Sequence, residues 1–285
     1  MHLRTMTRTD IPAALRLKEI AGWNQTSADW ERFLAASPEG CFVVECDGQV
    51  RGTATTISYE GRFAWVGMVL VDPEYRSQGF GTKLLERAIG YLDDRRIPAI
   101  KLDATPQGKP LYEKLGFVSE YEIERWMLRR APAELPKASG SSLHESLSPS
   151  LLESIFKTDR EVFGTDRSFL LRSLHESASD FTAVVRNGGT LDGYAFARRG
   201  SLADHLGPWI AKDAMAARQL LETFLARSSR ETLVVDCLKS NTATGALLKS
   251  GGFTFSRLLT RMYRGSNDYP GKPELVCSIM GPEFG

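Results

Sequence analysis

The chain has 285 residues, of which 42% are hydrophobic and 25% are charged. That length exceeds a comfortable single core of roughly 100–200 residues, so we expect two domains of an ordinary globular protein. Lys and Arg (36) nearly balance Asp and Glu (35), and the net charge of +1 provides no general field that would draw the chain to nucleic acid or anionic lipid. A small-molecule partner fits this composition better.

The sequence also predicts a compartment. Its first ten residues, MHLRTMTRTD, carry scattered charges and no apolar stretch of signal-peptide length, and no later window reaches the ~18 apolar residues of a membrane span. We therefore expect a cytoplasmic protein with no membrane partner. The four cysteines form no C-x-x-C pair and the four histidines lack metal-site spacing, so we expect neither a disulfide nor a metal.

The first elements alternate strand and helix signals. LRTMT predicts a strand, DIPAALRLKEIAG a helix with Asp10 as candidate N-cap, and SADWERFLAAS a second helix. Two β-rich runs flank Asp47-Gly48, a strong hairpin signal, and residues 63–71 predict a third strand that ends at Asp72-Pro73.

The following elements lead to the end of the first half. Helical spacing runs from Gly79 to about Asp93, AIKLDA predicts a strand at 99–104, and GKPLYEKLGF predicts a short helix closed by Gly116. We expect two final strands that end near Arg130.

A linker and a second copy follow. Residues 131–142 collect Pro, Ala, Gly and Ser without periodicity, so we divide the chain into domains at 1–130 and 143–285. Beyond the linker the same order of signals returns, with a hairpin around Asn187-Gly188. KLLERAI at 83–89 matches QLLETFL at 219–225, and LGF at 115–117 matches GGF at 251–253, both at an offset of 136. The repeat predicts two copies of one αβ unit.

The segment VLVDPEYRSQGFGTKLL, residues 69–85, has the composition of a phosphate-binding turn. A strand leads through a Pro-marked exit to Gly79 and Gly81 at a helix start. Unpaired N–H groups and the partial positive charge of a helix N-terminus attract anions, and glycines let the backbone approach them. A structural turn between strand and helix is the alternative for a lone G-x-G.

The full string R-S-Q-G-F-G resembles the R/Q-x-x-G-x-G/A motif of the GNAT N-acetyltransferases, and the resemblance covers about residues 2–130. It implies an α/β (α+β) fold of two tandem GNAT-like domains, each with a mixed, mostly antiparallel sheet flanked by helices, and it implies acetyl-CoA as donor. By this resemblance, the strand backbone pairs with the pantetheine arm and the loop amides bind pyrophosphate. The implied donor-binding residues are Val69, Leu70, Val71, Arg76, Ser77, Gln78, Gly79, Phe80, Gly81 and Thr82.

PLYEKLGF, residues 110–117, resembles the closing L-Y-x-x-x-G-F motif of the same family, which implies that Tyr112 protonates the departing CoA thiolate. A tyrosine packed against the core is the alternative. Residues 105–108, TPQG, depart from the Asn that the family often has before this helix, so no donor contact is carried over to them.

The second copy lacks both features. Aligning Gly67 with Gly207 requires an offset of 140, so the copy is four residues shorter (140 − 136) between strand and helix, where the loop belongs. Leu248 stands where Tyr112 stands in the first copy. We therefore expect a degenerate C-terminal GNAT-like domain.

The acceptor chemistry is less determined. An alkylammonium has a pKa of about 10.4, so a base or a water relay must deprotonate the amine, and Asp103 and Glu60 are the candidate bases. The aromatic and amide cluster of Trp23, Asn24, Gln25 and Trp30 is the candidate acceptor site, although Trp30 also fits the buried face of a helix.

Two classes of function remain open at this point. The first is direct transfer of an acetyl group to a primary amine of a small molecule in a ternary complex. The second is a non-catalytic CoA-binding sensor, which would not need Tyr112. The intact LYEKLGF favours the enzyme, and the sequence does not determine the oligomeric state.

Overall fold

The computed structural model describes residues 1–136 and 147–285 and confirms the mixed α/β class. Residues 137–142 of the proposed linker lie outside the described residues. The chain forms two compact units. Unit 1 comprises Met1–Glu120, Arg261–Asp268 and Pro282–Gly285, and unit 2 comprises Tyr121–Thr260 and Tyr269–Gly281. Each unit therefore takes segments from both halves of the sequence.

The elements of unit 1 follow the predicted order. They are β1 (His2–Thr5), α1 (Ile11–Ile20), α2 (Ser27–Ala36), β2 (Phe42–Cys46), β3 (Gln49–Tyr59), β4 (Phe63–Val71), α3 (Phe80–Asp94), β5 (Ala99–Ala104) and α4 (Lys109–Lys114). Strands β1 to β4 pair antiparallel in sequence order, and β5 pairs parallel with β4.

The core of unit 1 explains why its elements pack as they do. Leu84, Leu85, Ala88 and Leu92 recur at helical spacing on α3 and are buried against the sheet. Burial of each leucine contributes roughly 1.5–3 kcal/mol, so this helix is fixed along β2, β3 and β4. Helices α1 and α2 contact β3 as well.

Unit 2 contains β6 (Val118–Arg129) from Tyr121 onward, α5 (Pro149–Phe163), α6 (Ser168–Ser177), β7 (Ala183–Asn187), β8 (Thr190–Arg199), β9 (Asp204–Ala211), α7 (Ala214–Arg227), β10 (Thr232–Leu238), α8 (Thr242–Ser250), most of β11 (Thr254–Gly265) and β12 (Val276–Ser278). Its strand order is β6-β10-β9-β8-β7, with β12 on β9.

The prediction of two strands before Arg130 is wrong, since β6 is one continuous strand. The sequence between Val118 and Arg129 contains no Gly or Pro that would turn the chain. Asp10 begins α1 by position, but its carboxylate accepts from the Thr7 N–H at 2.8 Å and so caps the preceding turn.

A buried ion pair holds an exchanged strand in each unit. In unit 1, Arg261 of β11 forms two 2.9 Å hydrogen bonds to Asp103 of β5. In unit 2, Arg125 of β6 forms two 2.7 Å hydrogen bonds to Asp236 of β10. Arg125 and Arg261 are separated by the repeat offset of 136, so they occupy equivalent positions in the two copies. Arg125 of the first copy pairs with Asp236 of the second, and Arg261 of the second copy pairs with Asp103 of the first.

Candidate active site

A β-bulge interrupts β4 of unit 1. Thr53 and Thr55 of β3 oppose Leu70 and Gly67 of β4, so β4 carries one extra residue at this point. Met68 lies there with φ 51°, and its carbonyl accepts a 2.7 Å hydrogen bond from Thr53 Oγ1. The bulge redirects the backbone groups of β4 immediately before the predicted donor strand.

Strands β4 and β5 separate at the bulge. Their parallel register runs from Ala64 opposite Ile100 to Trp65 opposite Lys101, while both strands continue, to Val71 and Ala104. Among residues 1–136 and 147–285, no strand pairs with the β5-facing edge of β4 beyond this register. An extended ligand with its own amides, such as a pantetheine arm, is complementary to such an edge.

Asp72 fixes the point where the chain leaves β4. Its buried carboxylate accepts hydrogen bonds from Arg16 at 3.1 Å and from Arg51 at 3.2 Å. Burial raises the pKa of Asp72, but the hydrogen bonds from Arg16, the Glu74 N–H and Arg51, with the charge of Arg16, together outweigh it, and the net effect lowers that pKa. The anchored carboxylate therefore holds the start of the loop in place.

The loop after Asp72 has the backbone geometry of an anion-binding turn. Ser77 and Gly79 have positive φ values of 60° and 82°. None of the backbone N–H groups of residues 77–82 donates a hydrogen bond to another residue in the described part of the chain. Consecutive unpaired N–H groups in alternating backbone conformations, at the start of α3, are suited to pyrophosphate. Arg76 is exposed, and its Nε donates to the Val71 carbonyl at 3.2 Å.

The two loop glycines have different roles. Gly79 needs the left-handed conformation, whereas Gly81 lies in the first turn of α3 and has no positive φ. A Cβ at Gly81 would meet only side chains, Val71 at 3.6 Å and Leu111 at 3.9 Å. The fold thus tolerates a Cβ at Gly81. The advantage of glycine at this position is that it leaves the loop backbone accessible to a ligand.

Helix α4 places Tyr112 close to this loop. Leu111, its neighbour, lies against Gly81 as described above, and the Tyr112 ring packs edge-on against Phe117 with centroids 6.0 Å apart. Burial raises the pKa of Tyr112 to about 12, which keeps the hydroxyl protonated. The Thr105 carbonyl accepts the N–H groups of Gly108 and Lys109 at the start of α4.

The two predicted bases occupy unequal positions. The Asp103 side chain has no exposed surface and is held by Arg261, and the same arrangement recurs at Asp236 in the copy without a phosphate loop. Such a carboxylate is a poor proton acceptor, and its recurrence indicates a structural role. Glu60 lies at the exposed β3–β4 turn, 3.8 Å from Arg62 Nε, at the end of β4 opposite to the loop. It therefore has no direct path to the bulge.

The candidate acceptor residues also differ in their burial and in their contacts. Trp30 is fully buried and packs edge-on against Phe33, so it belongs to the core. Gln25 is 7% exposed, and its Oε1 has no hydrogen-bond partner among the described residues. A buried amide oxygen in that state fits a site for a polar ligand. Trp23 and Asn24 are half-buried in the same α1–α2 loop.

Sequence reasoning missed the segment Pro282–Gly285, which belongs to unit 1. The carbonyl oxygen of Glu283 would lie 2.8 Å from a Cβ at Gly67, next to the bulge. No motif or periodicity marks this segment, because only tertiary structure brings it to β4. It adds a buried acidic residue to the site.

The corresponding cleft of unit 2 is filled by its own chain. Strand β9 has the same bulge, but Pro208 replaces Met68 there and provides no N–H. Trp209 and Ile210, which align with Val69 and Leu70, pair with Ser278 and Val276 of β12. β12 also bonds to β10, since Ser278 Oγ accepts from the Asp236 N–H at 3.2 Å. Between β9 and α7 only residues 212–213 remain, and they form no phosphate loop.

Solved structures share this fold. A putative acetyltransferase from Pyrococcus horikoshii superimposes with a TM-score of 0.81 over 100% of this chain and 95% of that chain, at 22% sequence identity. A GCN5-related N-acetyltransferase from Sphaerobacter thermophilus superimposes with a TM-score of 0.67 over 93% of this chain and 95% of that chain, at 17% identity. At these identities the likeness establishes the fold alone.

Sequence relatives and family profiles extend the comparison. Holothin acyltransferase from a Pseudoalteromonas species is 25% identical over 98% of this chain and 95% of its own length. The uncharacterized N-acetyltransferase YitH of Bacillus subtilis is 28% identical over 68% of this chain and 67% of its own. Residues 12–117 match the acetyltransferase (GNAT) family, and residues 155–277 match an acetyltransferase (GNAT) domain. The chain belongs to the GNAT acetyltransferases and carries two GNAT domains in tandem, so it is an acyltransferase.

No group of three or more His, Cys, Asp or Glu among the described residues is arranged to hold a metal ion. No helix in the described part of the chain is long and apolar enough to span a bilayer.

Proposed function

We propose that unit 1 transfers the acetyl group of acetyl-CoA directly to a primary amine of a small molecule, in a ternary complex, and that unit 2 binds no donor. The observation that carries this proposal is the phosphate cradle at residues 77–82 with the helix of Tyr112 packed against it. These are the two features that unit 2 lacks.

Two regions of unit 1 fit acyl-CoA. The N–H groups of residues 77–82 would hold the pyrophosphate, with Arg76 nearby. Residues 69–71 offer the unpaired strand edge to the pantetheine amides. Bound in this way, acyl-CoA supplies the thioester at the β4 bulge, and acetyl is the acyl group that we propose.

Tyr112 acts as the proton donor. Transfer breaks the thioester C–S bond and leaves a thiolate, whose charge a nearby hydroxyl neutralises as it develops. The hydroxyl of Tyr112 is protonated at every physiological pH because its pKa is raised to about 12. A thiol titrates near ~8.5, so water replaces part of this function and we expect a reduced rate without Tyr112 rather than none.

The acceptor is a primary amine in our proposal. The buried amide of Gln25 and the half-buried Trp23 and Asn24 give the α1–α2 loop both polar and aromatic surface. Relatives carry different names, holothin acyltransferase and mycothiol acetyltransferase among them, so the fold alone does not define the acceptor.

Release of CoA thiol in the presence of phenethylamine, spermidine or glycinamide tests the proposal. We expect amine-dependent release by the wild type, and a kcat that is roughly 10- to 1,000-fold lower in Tyr112→Phe with acetyl-CoA affinity nearly unchanged. Tyr91→Phe on α3 is the matched control. The Tyr91 hydroxyl lies 3.4 Å from Ser37 Oγ, away from the loop. A single-turnover rate of Tyr112→Phe within twofold of the wild type would refute the assigned role.

A further inference from the structure

Residues 282–285 are anchored on the face of β3 and β4 that the bulge interrupts. Trp65 Nε1 donates to the Pro282 carbonyl at 2.9 Å, and the Tyr59 hydroxyl donates to the Phe284 carbonyl at 2.7 Å. The Phe284 ring stacks on Phe33 with centroids 4.7 Å apart. These contacts lie on both sides of Glu283 and fix its main chain within unit 1.

Gly67 permits the closest approach of this segment to β4. A Cβ at Gly67 would stand 2.8 Å from the Glu283 carbonyl oxygen and 3.2 Å from its Cα, closer than side chains pack. Gly67 immediately precedes Met68 of the bulge, where the donor thioester is placed by the proposed function. The carboxylate of Glu283 is therefore within one side-chain length of the reacting region.

The chemistry of Glu283 is unusual for its position. The residue is 3% exposed, a degree of burial that is rare for glutamate. Thr55, directly opposite Gly67 in the ladder, is fully buried, and its hydroxyl has no hydrogen-bond partner among the described residues. An unsatisfied hydroxyl beside a buried acid is consistent with a polar ligand at this point.

We propose that Glu283 is the carboxylate that recognises the acceptor ammonium and takes its proton. This inference rests on the proposed function. The Glu283 carboxylate first takes one proton from the ammonium and releases it to solvent. The lone pair of the neutral amine then forms the N–C bond with the thioester carbonyl, and the carboxylate takes a second proton from the cationic nitrogen. The C–S bond then breaks, and its electron pair takes the proton of Tyr112. The products are an amide and CoA thiol, and proton exchange with solvent restores both side chains.

This assignment explains the placement of the other carboxylates. Asp103 is paired with Arg261, whose guanidinium also lies over the Trp65 ring at 4.5 Å, and Glu60 is exposed at a distant turn. Glu283 is the buried acid of unit 1 whose main chain touches the residue preceding the bulge. The segment is thus part of the acceptor wall as well as a packing element.

Two acceptors of the same shape but different basicity provide the test. Phenethylamine is protonated at neutral pH and needs a base, whereas O-benzylhydroxylamine, in which an oxygen replaces one methylene, is already neutral. We expect Glu283→Gln to lower kcat/KM about 100-fold for phenethylamine and less than threefold for the alkoxyamine, with acetyl-CoA affinity unchanged. Glu274→Gln, an exposed glutamate of the same terminal region, is the control and should change neither rate.

The outcomes separate the two proposals. A Glu283→Gln variant that loses both rates equally, or neither, overturns the role of Glu283 while leaving the transferase reaction intact. Absence of phenethylamine acetylation by the wild type overturns the proposed amine acceptor instead, and with it this inference. Should Glu283→Gln fail to fold, Glu283→Asp carries the test: it keeps the charge but withdraws the carboxylate by one methylene, so it should slow phenethylamine more than the alkoxyamine. Equal slowing of both probes would overturn the role.

Discussion

Replacing Asp103 with Asn should destabilise the protein, because Asp103 holds Arg261 in the interior of unit 1. The Asp103 side chain has no exposed surface and that of Arg261 is 7% exposed, with two 2.9 Å hydrogen bonds between them. Removing one partner of a buried pair leaves an uncompensated charge and costs about 3–5 kcal/mol. At about 2–4 °C per kcal/mol, we expect the melting temperature to fall by at least about 5 °C.

The control for this variant is an exposed ion pair in the same unit. Asp93 and Arg264 lie 2.9 Å apart, but their side chains are 44% and 36% exposed. Exposed pairs contribute little, so Asp93→Asn should shift the melting temperature by less than about 2 °C in the same calorimetric scan. An Asp103→Asn variant that melts like the wild type but loses amine acetylation would refute the structural role and restore Asp103 as a base.

Further predictions concern the donor site. Gly81→Val should weaken acetyl-CoA binding at least tenfold, about 1.4 kcal/mol, without a comparable loss of stability, because the added side chain would meet only Val71 and Leu111 but covers the backbone of the cradle. Gly90→Val on the same helix, where a Cβ meets nothing within 4 Å, is the control for the calorimetric titration. Because burial raises the pKa of Tyr112 to about 12, kcat should not fall between about pH 8 and 10, where an ordinary tyrosine begins to ionise. A rate loss there that disappears in Tyr112→Phe would contradict the protonated hydroxyl.

The sequence predicted the local elements well because their signals are local. Residues 63–71 and 99–104 form strands with the expected bounds, and the turn at Asp47-Gly48 adopts the positive φ values that a tight hairpin requires. The phosphate loop was visible for the same reason, since its glycines, its Pro and the following helix are contiguous. The tandem arrangement followed from the repeat offset, and the GNAT family from the resemblance of the loop and α4 motifs.

Features that depend on distant residues were not predictable. Arg125 and Arg261 are ordinary residues within strand patterns, and only the exchanged strands show that they pair with Asp236 and Asp103. Glu283 is similarly unmarked in the sequence. The filling of the unit 2 cleft by β12 depends on a three-residue strand that has no periodicity to detect.

The central claim is that unit 1 alone holds the acyl donor, since unit 2 has Pro208 at its bulge and β12 along its strand edge. Calorimetric titration of acetyl-CoA onto the full chain tests it most directly. We predict one site per chain, with an affinity that falls at least tenfold in Gly81→Val. A stoichiometry near two, or binding that Gly81→Val leaves unchanged, would contradict the claim.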